Sequence, residues 1–175
     1  PQIDRVFQDD MNLWERATPW PRAFFVDSIA QYNDVKSLAK YIHQADGLAL
    51  AAMQTEKTVW PDKHRRVVFA DNYKLTSNTT SFTIDAPRPG IVVLTEVNIP
   101  EDVHVKINGK PDEVLEVNHA FRAVKIEKPG VHRITFKYRP RLWRTSLLLG
   151  LIGVIILIGI VLVNLRKTSH VAQNS

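Results

Sequence analysis

The chain has 175 residues, 45% of them apolar and 23% charged, with 7 Gly and 10 Pro. These proportions exclude a disordered tail, a collagen-like fibre and a low-complexity linker. Its 23 Lys and Arg exceed its 18 Asp and Glu and leave a net charge of +5; the absence of Cys excludes a disulfide framework, a Cys-ligated zinc site and a thiol nucleophile.

Residues 1–20 carry Asp4, Arg5, Asp9, Asp10, Glu15 and Arg16, with no apolar run of the signal-peptide kind, and the first residue is Pro rather than Met. The expectation is a piece of a longer protein. Arg22 to Val26 reads RAFFV, a short β-prone apolar run after TPWP, and predicts a buried strand. Asn33 or Asp34 then caps a helix running to about Gln44, with Val35, Leu38, Tyr41 and Ile42 at the 3.6-residue period and Gly47 near its end. Leu48 to Met53 fits either a helical turn or a strand.

After Pro61 the pattern changes to period two. Val67, Phe69, Tyr73 and Leu75 predict one strand, and Phe82, Ile84 and Ala86 a second, ended by PRPG at residues 87–90. Ile91 to Val97 reads as a buried strand. Val103, Val105 and Ile107 alternate with polar residues and run into Asn108-Gly109, a strong hairpin signal. Val114 to Val117, Phe121 to Ile126, and Ile134, Phe136 and Tyr138 complete about seven strands. The expected fold is mainly β: a mixed α/β segment over residues 1–60 and an antiparallel β-sandwich over 61–144, joined in one globular unit.

From Leu147 to Val163 seventeen residues lack a polar side chain, and Thr145, Ser146, Asn164 and Leu165 extend the run to twenty-one. At ~1.5 Å per residue this spans roughly 30 Å, the hydrocarbon thickness of a bilayer. A transmembrane helix over 145–165 follows, flanked by Trp143 and Arg144 and by Arg166 and Lys167, with a short polar tail over 166–175. Ser146, Gly150 and Gly153 fall on one stripe of that helix, where small residues let another membrane helix approach.

Several motifs, in order, resemble the C-terminal end of the YfhO-type bacterial integral membrane proteins. They are Pro21-Arg22-Ala23-Phe24, the run from Pro89-Gly90 to Thr95-Glu96, Val105-Lys106-Ile107-Asn108-Gly109-Lys110, Val117-Asn118 with Phe121-Arg122-Ala123-Val124, and Gly130-Val131-His132 with Phe136 to Pro140. A membrane helix follows at once, and the resemblance extends from about Phe7 to Val163. One departure stands out: the family pattern has Pro-Gly-Trp before the hairpin, whereas here Pro100 is followed by Glu101-Asp102. The resemblance implies a large polytopic protein similar to membrane glycosyltransferases, which move sugar from a polyprenyl-phosphate carrier to a cell-envelope polymer. It also implies that the catalytic acid lies in an early loop outside this chain, and no catalytic residue is assigned here.

Within the chain, the six His (43, 64, 104, 119, 132 and 170) show no ligand spacing, and no GxSxG, Walker or dinucleotide pattern occurs. No metal or cofactor is expected. The carboxylate pairs Asp9-Asp10, Glu101-Asp102 and Asp112-Glu113 fall in loop-like sequence, and the sequon Asn78-Thr79-Thr80 is a triplet that arises by chance. Arg22 and Arg122, with Asn118 beside the latter, are the ligand-contact candidates, because an Arg fork grips phosphate or a sugar-linked anion; an inter-sheet salt bridge is the competing use. Lys137, Arg139, Arg141 and Arg144 are candidates for the membrane surface, the first three sharing a face if the last strand continues. The expected partners are the bilayer, other transmembrane helices of the same protein, and a polyprenyl-linked sugar or envelope polymer. Nucleic acid is not expected, since no aromatic stacking motif accompanies the charge.

Two alternatives remain. Basic residues before the apolar helix outnumber those after it, so the positive-inside rule favours a tail-anchored interaction protein with its β domain in the cytoplasm. The third reading is an anchored carbohydrate-binding sandwich, whose mark would be exposed aromatics; Trp14, Trp20 and Trp60 all fall in loop-like sequence.

Overall fold

The computed structural model describes residues 3–8, 12–16, 19–45, 47–60 and 62–173. The chain begins with an antiparallel hairpin, β1 (Ile3–Gln8) and β2 (Asn12–Arg16), followed by β3 (Ala23–Val26), β4 (Ile29–Tyr32), α1 (Val35–Gln44) and β5 (Ala51–Gln54). Then come β6 (Val67–Phe69), β7 (Asp71–Leu75), β8 (Thr79–Ala86), β9 (Gly90–Val97) and β10 (Val103–Ile107). The last elements are β11 (Lys110–Asp112), β12 (Leu115–Val117), β13 (Phe121–Ile126), β14 (Gly130–Tyr138) and α2 (Trp143–Gln173).

Ten of these strands form two five-stranded antiparallel sheets, ordered β12-β13-β9-β3-β6 and β11-β10-β14-β8-β7. Their facing sides enclose a core of Phe25, Phe82, Ile84, Val92, Leu94, Val124, Ile126, Ile134 and Phe136, which makes the expected sandwich. The outer face of the first sheet is also covered. There Phe24, Val26, Ile91, Val93 and Ala123 pack on Ala49 and Ala51, in a layer formed by the parallel pair β4 and β5. Helix α1 closes that layer through Leu38 and Tyr41, packed with Tyr32 and Leu50. Burial on both faces explains why β3 and the start of β9 are continuous apolar runs, whereas β10, with one face outward, alternates.

Local chemistry sets several boundaries. The Asp34 side chain accepts a 2.8 Å bond from Ser37 N–H and starts α1, as its sequence predicted. Val35, expected on the inner face, is instead exposed beside that cap. Leu48 to Met53 resolves as the approach to and first part of a strand. Asn108 and Gly109 both take positive φ, 50° and 83°, as a two-residue type I′ hairpin requires.

The Val67–Leu75 run is two strands rather than one: β6 joins β3 in one sheet and β7 joins β8 in the other. The chain changes sheets at buried Ala70 and turns through Asn72, whose φ is 55°. A corner made by switching sheets preserves period two in sequence while ending the ladder.

Tyr32, Tyr41 and Tyr73 have their hydroxyl pKa raised, in each case chiefly by desolvation. A raised folded-state pKa leaves the stabilising contribution intact below the unfolded value of about 10 and removes it as pH climbs through the folded value. The contribution of these three tyrosines should therefore be lost only above about pH 10, with tyrosinate absorbance and loss of the β circular dichroism signal rising together there. Ionisation of these tyrosines ahead of unfolding would contradict their burial.

Helix α2 forms a second unit with the residues from Arg139 onward. Trp143–Leu162 has a mean hydropathy of 2.8, long and apolar enough to cross a membrane. The helix extends to Gln173, through most of the stretch expected as a polar tail.

Candidate ligand cleft at the end of the sandwich

Arg22 immediately precedes β3, Arg122 is the second residue of β13, Glu96 lies near the end of β9, and Thr80 lies near the start of β8. Antiparallel pairing brings all four to the end of the sandwich where β14 finishes. The β9–β13 ladder breaks register there: Phe121 faces Val97 but Arg122 faces Leu94, so Thr95 and Glu96 stand outside the pairing. Such an irregularity re-aims side chains. Thr95 fixes the neighbouring backbone, its N–H and hydroxyl both bonding Arg22 O at 2.8 and 3.0 Å.

The Glu96 carboxylate collects three partners. Arg22 Nη2 lies 2.7 Å from Oε1, Arg122 Nη1 lies 3.4 Å from Oε2, and the Thr80 hydroxyl donates to Oε1 at 3.1 Å from the opposite sheet. Arg122 also donates from Nη2 to Val97 O at 2.8 Å and lies over the Phe136 ring. Burial lowers the Arg122 pKa and the Glu96 charge opposes that shift. The arginine remains a cation at neutral pH. Its Nε is buried without a hydrogen-bond partner.

Two guanidiniums thus share one carboxylate, leaving one net positive charge. Arg22 is half exposed, so its pair contributes under about 1 kcal/mol to stability. The cluster lines a cleft of about 300 Å³ together with exposed Leu75, Ile99 and Tyr138 and the polar β7–β8 turn. The ion pairs join β3, β9 and β13 of one sheet, so the inter-sheet salt bridge expected of these arginines is not formed; the link to the other sheet is the Thr80 hydroxyl bond to Glu96.

Asn118 is placed elsewhere. Its buried amide accepts from Ala52 N–H and donates to Leu50 O, each at 2.8 Å, so its polar atoms are occupied within the fold. The shared face expected for Lys137, Arg139 and Arg141 required the last strand to continue; β14 stops at Tyr138, and Pro140 follows. All three side chains are exposed, as is Arg144 in the first turn of α2. Ser146, Gly150 and Gly153 lie in α2, and a Cβ on either glycine would meet nothing within 4 Å.

Sequence reading missed Glu96 and Thr80 as members of the cluster. Only the Thr95-Glu96 polar pair ending an apolar run hinted at them. A larger cavity of about 590 Å³, near the β10–β11 and β13–β14 turns, is lined by Lys110, Lys125 and Lys128 against Asp112, Glu113 and Glu127, a balance that selects no ligand charge. Among the described residues no group of three His, Asp or Glu is placed to hold a metal ion. The Asp9-Asp10 pair lies outside them.

A two-sheet sandwich with a basic cleft, followed by a helix apolar enough to cross a bilayer, defines a β-rich membrane protein. The pattern of the bacterial membrane protein YfhO matches residues 49–150, more than half of the chain, and the chain belongs to that family. No curated protein and no solved structure matches it.

Proposed function

We propose that this chain is the extracytoplasmic C-terminal domain and last membrane helix of a polytopic protein that moves sugar from a polyprenyl-phosphate carrier to an envelope polymer. In this reading the domain is non-catalytic and positions carrier or acceptor. The observation that carries it is the cleft in which Arg22 and Arg122 share Glu96, with Leu75, Ile99 and Tyr138 also in its lining. Guanidinium donors suit a phosphate, and Leu75, Ile99 and Tyr138 suit the first carbons of a lipid tail. Only four residues of chain, Arg139 to Leu142, separate Tyr138 from α2. Exposed Arg139 and Arg141 add attraction for an anionic surface, at about 1 kcal/mol each. Holding the reactants in place is a sufficient contribution, because positioning alone removes a large part of a bimolecular barrier.

The test uses the chain's lack of Cys. Ser77→Cys introduces one thiol into this chain, in the exposed β7–β8 turn, and its labelling is read against the same protein without the substitution. A membrane-impermeant maleimide should label it in intact cells; labelling only after lysis would instead favour a cytoplasmic, tail-anchored domain. In the full-length protein, Arg22→Gln should raise the KM for a polyprenyl-linked sugar several-fold with little change in kcat or stability. Unchanged kinetics would remove the cleft from the mechanism.

A further inference from the structure

A second pocket lies in the β4–α1–β5 layer, built around Trp60. Trp60 is about half exposed, 49%, yet it is firmly placed. The preceding residue, Val59, exchanges two backbone hydrogen bonds with Gln31 of β4, at 2.8 and 2.9 Å. The Trp60 ring packs against Tyr41, with centroids 4.5 Å apart, and the Tyr41 hydroxyl in turn bonds Gln31 O. An aromatic surface held rigid while half of it faces water is pre-organised to stack on another ring.

The surroundings add positive charge. Lys40 Nζ lies 5.3 Å from the Trp60 ring centre. Tyr41, Gln44, Ala45, Trp60, Lys63 and Arg65 line a cavity of about 280 Å³, with no carboxylate among the described lining residues. Arg65 is the telling member. It is 8% exposed, and its guanidinium is spread over the carbonyls of Leu48, Ala49 and Asp62 at 2.8 to 3.0 Å. It has no ion pair among the described residues; burial lowers its pKa, against the influence of Asp62 nearby. A buried cation satisfied by carbonyls alone keeps its field, and an anion in the adjoining cavity would neutralise it.

We propose that this pocket binds a saccharide unit carrying an anionic substituent. The apolar face of the sugar ring stacks on Trp60, Gln44 supplies a hydrogen-bonding amide for hydroxyls, and the anionic group faces Lys40, Lys63 and Arg65. Lys40 suits this role because its flexible stem lets the ammonium move from the ring face to the anion. The inference builds on the proposed function by giving the domain a glycan contact remote in sequence from the arginine cleft. Its test measures binding alone, so its failure would leave the maleimide and kinetic results standing.

The full chain in lipid nanodiscs is titrated with tetragalacturonate and with maltotetraose, an uncharged oligosaccharide of equal length, using saturation-transfer NMR. Tetragalacturonate should bind at least tenfold more tightly. Trp60→Ala should reduce its binding at least tenfold. Trp60→Phe, which retains a ring against Tyr41, should keep the circular dichroism spectrum and lose only part of the affinity. Lys40→Gln with Lys63→Gln should abolish the preference for the anionic oligosaccharide. Absence of tetragalacturonate binding, equal affinity for both oligosaccharides, or binding unchanged by Trp60→Ala would each overturn the assignment.

Discussion

Replacing Gly90 by Ala is expected to destabilise the β domain by about 3 kcal/mol and lower its thermal midpoint by roughly 10 °C. The cause is space. A Cβ at Gly90 would lie 2.4 Å from the Val26 carbonyl oxygen and 2.5 Å from a Phe25 ring carbon, both far inside van der Waals contact. Neither obstacle can yield cheaply, because Val26 O is main chain in β3 and Phe25 is fully buried between the sheets. Overpacking usually costs 1–3 kcal/mol, and two fixed neighbours put this site at the upper end. The entropy gained by removing a glycine from the unfolded chain, at most about 1 kcal/mol, does not offset it. Gly109→Ala provides the comparison: its φ is +83°, but a Cβ there meets nothing within 4 Å, so only conformational strain of about 1 kcal/mol is expected. Thermal melts of the two variants followed by near-ultraviolet circular dichroism separate the effects. A Gly90→Ala protein no less stable than Gly109→Ala would show that β3 and β9 are not in close contact at this point.

That contact also shows what the sequence could reveal. The Pro89-Gly90 step was legible as a turn, but the need for glycine came from Phe25, sixty-five residues earlier, and was not. The same division holds elsewhere. Local signals placed the capped helix at Asp34, the Asn108-Gly109 hairpin and the continuous runs of β3 and β9, since each depends on a few adjacent residues. The change of sheet between Phe69 and Asp71 left period two undisturbed and was invisible. Glu101 is instructive in another way. Its φ is 66°, in the left-handed region that favours glycine, and a glutamate gives no sequence signal for that backbone shape.

The candidate site divides similarly. Arg22 and Arg122 were legible as cations in the segments that carry the family resemblance, but their common partner was not, because Glu96 lies seventy-four residues from Arg22 in the chain. Trp60 was readable only as a loop aromatic; its value lies in Tyr41 and Arg65, which sit on different sides of it in sequence. Convergence of this kind is a property of sheet order, and sheet order depends on which buried faces find each other.

Asn118 lies in the same family segment as Arg122, and replacing it by Ala should cost about 3 to 4 kcal/mol of stability. It occupies the left-handed region with φ 52°, followed by His119 at 72°, in the turn between β12 and β13. Asn tolerates that conformation better than Ala. More important, its amide imitates a strand edge: Oδ1 takes Ala52 N–H, Nδ2 gives to Leu50 O, and its own N–H bonds Ala52 O at 2.8 Å. Truncation would leave a buried donor and a buried acceptor unpaired, at about 1–3 kcal/mol each before relaxation. The turn would then be tied to β5 by the main-chain bond from residue 118 to Ala52 O alone, which weakens the joint between the sandwich and the layer that carries Trp60. Asn118→Asp tests the hydrogen-bond pattern at nearly constant shape. The aspartate still accepts from Ala52 but, when ionised, sets an oxygen against Leu50 O, so burial and this repulsion raise its folded pKa above the unfolded value of about 3.9. A group with a raised folded pKa stabilises the fold below its unfolded pKa and loses that contribution as pH rises through the folded value. The Asp variant should therefore approach wild-type stability near pH 4 and fall well below it at pH 7, while the Ala variant is destabilised by a similar amount at both. Denaturant melts at the two pH values read this directly. If Asn118 served chiefly as a ligand contact, both variants would fold as well as the parent at either pH.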